Sequence, residues 1–156
     1  MNSLIHLKKA FLLSLLLSLK GGINFAQKHE NHCSEKIKVG HFYFYSTKQN
    51  AWSEIFRNDD TQTEIFRNTN DTSIYSVKWA NPCTYEMLLL KSTTAFEPGE
   101  EDYVKSFKTV TTILSISKGY YTFTSIVSSE KYRQSYNFND TVWFDKDSIL
   151  HRLKTR

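Results

Sequence analysis

Val39-Gly40-His41-Phe42-Tyr43-Phe44-Tyr45-Ser46 alternates along its length: in an extended chain Phe42 and Phe44 point to one side, Tyr43 and Tyr45 to the other. Both faces carry aromatic surface, and residues 39–46 are read as a first strand. Further along, Glu54-Ile55-Phe56-Arg57-Asn58 recurs as Glu64-Ile65-Phe66-Arg67-Asn68, with turn residues Asn58-Asp59-Asp60-Thr61 between the copies. Two five-residue copies do not make a solenoid, so the echo is read as two strands of one hairpin rather than a duplicated binding module.

The same pattern continues to the C-terminal end, with short runs of Val, Ile, Thr, Phe, Tyr and Trp separated by Asn, Asp, Ser or Gly clusters. Residues 72–79 set Tyr75, Val77 and Trp79 against Ser76 and Lys78. After Asn81-Pro82, residues 83–91 set Cys83, Tyr85, Met87 and Leu89 against Thr84, Glu86, Leu88 and Leu90, which predicts a second half covered on both faces. The acids of 97–102 suit the start of a short helix reaching about 107. Strands are expected at 108–117 and 120–127 around Lys118-Gly119, then a last hairpin over 134–144 around Asn139-Asp140, and a charged, fraying tail at 145–156. Seven or eight sequential strands predict an all-β antiparallel meander, an up-and-down barrel or curled sheet that is lipocalin-like by analogy. A β-sandwich is the competing architecture. A barrel of about eight strands is either filled by side chains or holds one small ligand.

Residues 1–26 read as a signal peptide. Lys8 and Lys9 precede a ten-residue run, 10–19, interrupted only by Ser14 and Ser18; Gly21-Gly22 follow, and Ala26 offers the cut. That run is too short to cross a bilayer. The full chain of 156 residues has 20 basic and 16 acidic side chains; removing the three lysines of the first 26 residues leaves 17 basic residues and a net charge of +1. The basicity therefore resides in the export signal, and no nucleic-acid partner is expected. The domain plan is signal peptide 1–26, polar leader 27–37, barrel-like domain 38–144 and tail 145–156, with no membrane span after cleavage and a secreted or periplasmic destination.

Cys33 and Cys83 both remain in the mature chain, and an oxidising compartment predicts one disulfide between them. The alternative is a free, buried Cys83 with a mobile Cys33. His29, Glu30, His32 and Cys33 lack the paired spacing of a structural zinc site, so no metal or other cofactor is expected. Neither His41 nor His151 accompanies a nucleophile motif such as Gly-x-Ser-x-Gly. The acids at Asp59-Asp60 and 97–102 read as solvated turns, and the isolated glycines form no phosphate loop. No catalytic residue is assigned, and the protein is expected not to be an enzyme. Among 11 Phe, 9 Tyr and 3 Trp, the residues Tyr43, Tyr75, Trp79, Tyr85, Tyr121 and Phe123 are candidates to line a ligand pocket. Core packing is the alternative account of the same rings.

The stretch 55–64, with Asp71-Thr72-Ser73, Val77-Lys78-Trp79-Ala80-Asn81-Pro82-Cys83-Thr84-Tyr85 and the earlier Cys33 before Lys38-Val39-Gly40-His41-Phe42, resembles a group of small exported Bacteroidetes proteins that often carry the name DNA topoisomerase IV. The resemblance covers about residues 33–127 and departs from the group around 49–54 and at the C-terminal end. Strand passage needs a tyrosine nucleophile in a large, metal-assisted, ATP-driven dimer, so the resemblance implies no catalytic residue here. The expected function is non-enzymatic binding of a small apolar or amphipathic ligand; the alternative is an envelope protein–protein interaction module without a ligand cavity. Amino-terminal sequencing of the exported protein is expected to begin at Gln27, and cytosolic material beginning at Met1 would remove the basis for export.

Overall fold

Alternation of inward and outward side chains along eight consecutive strands closes the chain into an antiparallel barrel. The computed structural model describes Cys33, residues 35–46 and residues 50–154, with side chains as far as Leu150. The expected signal peptide, the histidines of the leader and His151 lie outside the described residues or side chains. The strands are β1 Gly40–Ser46, β2 Ala51–Arg57, β3 Thr61–Phe66, β4 Thr72–Asn81, β5 Thr84–Ser92, β6 Lys108–Ile116, β7 Tyr120–Ser129 and β8 Gln134–Trp143. Each pairs with the next, and β8 returns to β1 through Tyr43 opposite Trp143 and Phe44 opposite Val142. Helix α1, Glu100–Lys105, lies in the β5–β6 connection, and α2, Lys146–Lys154, follows β8.

One end of the barrel is solid. Ile37, Phe42, Ile55, Val77, Tyr85, Ile113, Tyr121, Phe123 and Val142 form a single buried cluster. Ile37 comes from a 3-10 turn, Glu35–Ile37, and is fully buried. The plug is tied down by the Cys33–Cys83 disulfide, with Cα atoms 5.2 Å apart, which joins the chain before the turn to the β4–β5 corner. A Cβ on Gly40 would lie 2.9 Å from Phe42 Cζ, so the ring folds back over a backbone that only glycine leaves clear. Register shifts at Ile74/Tyr75 and Trp79/Asn81 of β4, and at Ile113/Ser115 of β6, bend those strands around the barrel.

Three expectations are corrected. Asn139-Asp140 does not turn: β8 is one strand, with Asn139 opposite Thr124 and Asp140 opposite Phe123, because pairing along the whole of β7 overrides local turn propensity. The second half of β5 is covered on one face only, since Leu88 and Leu90 are 46% and 52% exposed on the outer wall. The tail, as far as residue 154, is helical rather than frayed. Asp145 caps α2, its carboxylate accepting the Ser148 amide at 2.7 Å and hydroxyl at 2.8 Å, and these bonds hold its carboxyl below the usual range. Ile149 is buried, and Lys146 Nζ sits 4.0 Å from the Trp52 ring centre.

The disulfide spans 50 residues, so the Cys33→Ala, Cys83→Ala double variant is expected to lose about 4 kcal/mol of unfolding free energy in urea denaturation. A loss below about 1 kcal/mol would mean that the plug holds without it.

Candidate functional site: the barrel interior

The echoed pentapeptides pair with each other in a register that places Ile55 opposite Glu64 and Glu54 opposite Ile65. Partners across a ladder share a face, so equivalent residues of the two copies point to opposite sides of the wall. Arg57 and Glu64 therefore face inward, Glu54 and Arg67 outward. Outside, Arg67 Nε donates to Glu54 Oε1 at 2.8 Å, while His41 Nε2 lies 3.0 Å from Glu54 Oε2 and its ring stacks on Phe56. His41 thus belongs to a surface cluster, away from the interior.

Inside, Arg57 is 3% exposed. Burying a guanidinium is unfavourable unless its donors are matched. Arg57 Nε donates to Gln62 Oε1 at 2.6 Å, Nη1 to the Ile37 carbonyl at 2.8 Å, and Nη2 to the Tyr85 and Tyr121 hydroxyls at 2.9 and 3.2 Å. The rings of Tyr85 and Phe42 flank it at 4.5 and 5.3 Å from the guanidinium carbon to their centres. Desolvation opposes its charge, but the oxygens of Tyr121 and Tyr85 outweigh that effect and hold the pKa above the ordinary value. The guanidinium thereby joins the plug, β2, β3, β5 and β7 at one point.

Beyond this packed end the barrel is hollow. A chamber of about 130 Å³ has Phe44, Ile55, Met87, Phe123, Phe138 and Val142 as its apolar wall. Its polar wall carries Ser53, Gln62, Glu64, Thr109, Thr111 and Ser125, with Thr111 Oγ1 and Ser125 Oγ 2.7 Å apart. Gln62 Nε2 donates to Glu64 Oε1 at 2.6 Å, completing a relay from Arg57 through Gln62 to Glu64. Burial pushes the Glu64 carboxyl up, against the opposing effects of the Gln62 bond and Arg57.

A second cavity of about 300 Å³ adjoins the chamber at Met87 and Thr109, which line both. Tyr75, Leu89, Val127 and Tyr136 form its sides, and Tyr103, Val104 and Phe107 of the α1 segment cover it. The cover is latched by Tyr103 Oη, which donates to Gln134 Oε1 at 2.6 Å, and by the Ser106 and Ser129 hydroxyls 2.8 Å apart. Gly99, with φ of 86°, turns the chain into α1.

The six aromatic candidates divide by location. Tyr85 and Phe123 line the chamber and Tyr75 the outer cavity. Tyr121 and Trp79 pack into the solid end, where the buried Trp79 Nε1 has no hydrogen-bond partner among the described residues. Tyr43 is on the outer wall, its ring beside His41 and Trp52, because it shares the face of Glu54 rather than that of Phe42. Sequence reasoning missed Arg57, Gln62, Glu64 and the Ile37 plug. The available signal was the alternation Ser53, Ile55, Arg57, which carries the inward row of β2 directly into a charge. Among the described residues there is no cluster of three or more metal-ligating side chains. Fold and cavity together define a closed eight-stranded antiparallel barrel with an amphipathic interior. Comparison with family models, curated proteins and solved structures finds no match for this chain.

Arg57→Ala strands two phenols, an amide oxygen and a carbonyl, so urea denaturation should show a loss of at least about 3 kcal/mol. Arg57→Lys should recover a minor part of it, since an ammonium cannot reproduce the planar fork. Glu64→Gln should act with pH. A carboxyl whose pKa is raised by folding loses native stability as pH rises through that pKa, so the variant should melt above the parent protein at pH 7–8. The gain should vanish below about pH 4, where the carboxyl is protonated in both folded and unfolded chains; a melting difference independent of pH would contradict the burial of Glu64.

Proposed function

We propose that this protein is a non-catalytic carrier that holds a small amphipathic ligand in the barrel interior. The observation that carries it is the pair of adjoining cavities, about 130 and 300 Å³, one with a polar wall and the other mainly apolar, beneath a latched helix. Together they fall within the roughly 300–1,000 Å³ of small-molecule sites. An interior needed only for stability would be filled to the density found at the Ile37 end. The Cys33–Cys83 disulfide, and the absence among the described residues of a helix long and apolar enough to cross a membrane, are compatible with a periplasmic or extracellular carrier. Exposed Leu88 and Leu90 favour the alternative, contact with an envelope protein across the outer wall of β5.

Titration with the uncharged fluorophore N-phenyl-1-naphthylamine should reveal one saturable site. Thr109→Trp, which fills the junction between the cavities, should weaken it by about tenfold or more, whereas Leu88→Lys on the outer wall should leave it unchanged. Equal binding by the parent protein and the Thr109 variant would place the dye elsewhere and refute a carrier interior. An affinity lost in the Leu88 variant alone would favour the outer wall.

A further inference from the structure

We propose, building on the carrier function, that Glu64 receives a hydrogen-bond donor at the ligand's polar end, making the preferred ligand an alkyl amine, with an alkyl alcohol next and a carboxylate disfavoured.

The anchor is defined by what is already used. Each of the three Arg57 nitrogens donates to a protein oxygen, and aromatic rings flank the guanidinium, so the barrel's buried cation is engaged in structure rather than held ready for an anion. Gln62 is engaged at both ends, accepting from Arg57 and donating to Glu64 Oε1. Glu64 Oε2, by contrast, has no hydrogen-bond partner among the described residues, and Glu64 lines the chamber. The relay holds one carboxylate oxygen and leaves the other to the cavity. The charged or titratable groups near it are Arg57 across Gln62 and the phenols of Tyr75 and Tyr85. A ligand ammonium beside Oε2 favours the carboxylate form of Glu64 against the upward effect of burial, and a carboxylate accepts from an ammonium or hydroxyl, whereas a ligand carboxylate would set a second acidic group beside it. The hydroxyls of Ser53, Thr111 and Ser125 flank the same wall and can accept a second donor hydrogen. The opposite wall of Phe44, Ile55, Phe123 and Val142 takes the first methylenes, and the outer cavity between Leu89, Val104 and Val127 takes the rest of the chain.

The test is competition against N-phenyl-1-naphthylamine at neutral pH by decylamine, decanol and decanoate, which share a chain and differ in the head group, each kept below its micelle concentration. Decylamine should displace the dye most strongly, and decanoate should be weaker by about tenfold or more. With each competitor referred to the dye affinity of the same variant, Glu64→Gln should shrink the amine-to-carboxylate ratio to about twofold, because the amide is uncharged. Decanoate competing as well as decylamine in the parent protein, or an unchanged ratio in the Glu64 variant, would overturn the head-group assignment while leaving the carrier function intact. Failure of the dye and all three competitors to bind the parent protein would remove the carrier function itself.

Discussion

A guanidinium sealed from water must have its charge satisfied by the protein, and that requirement organises this barrel. Arg57 reaches from β2 to a carbonyl of the plug, to an amide on β3 and to phenols on β5 and β7. These bonds are directional, so they admit one arrangement of four strands and a plug, where apolar contacts among Phe42, Ile55 and Val142 would tolerate several. Removal of the Ile37 carbonyl or either phenol would leave the cation partly unmatched in a low-dielectric interior, which couples the solid end of the barrel to the position of the plug. The Cys33–Cys83 bond acts on the same element from the other side, limiting how far the plug can move in the unfolded chain.

The interior divides into two regimes along the barrel axis. Around Ile37 and Tyr121 it is packed solid, and past Gln62 it opens into a cavity lined by hydroxyls on one side and hydrocarbon on the other. The row from buried Arg57 and Gln62 to half-buried Glu64 extends polarity from the solid end into the hollow one. The relay places a carboxyl group inside the wall: Gln62 ties Glu64 to the guanidinium without a direct ion pair, and Glu64 lines the cavity. Under α1 the lining becomes mainly apolar, and the cover is held by the exposed Tyr103–Gln134 bond and the part-buried Ser106–Ser129 pair.

Much of the architecture was legible. Alternating aromatics in 39–46 and 72–79, turn residues near every tenth position and a pair of cysteines lead to an antiparallel meander with one disulfide, and the structure shows both. Where the expectations erred, a tertiary contact overrode a local signal. Asn139-Asp140 has turn chemistry, yet ten ladder partners on β7 keep β8 extended. Residues after Asp145 are charged, yet a cap and one buried isoleucine hold a helix. Tyr43 and Tyr75 were equally plausible pocket residues as sequence, and they separate to the outer and inner walls.

The echo states the division most plainly. Composition and periodicity alone determine that Glu54–Asn58 and Glu64–Asn68 are strand-forming and hairpin-linked, because short-range alternation and turn chemistry are local properties. Which copy places its arginine inside, and which its glutamate, is a matter of parity: the register joins residues whose numbers differ by an odd count, so positions ten apart fall on opposite faces. Identical pentapeptides thus supply a surface ion pair, Glu54 with Arg67, and a buried relay, Arg57 to Glu64 through Gln62. Only closure of the barrel decides which face is the interior, since inside and outside exist only once β8 has met β1.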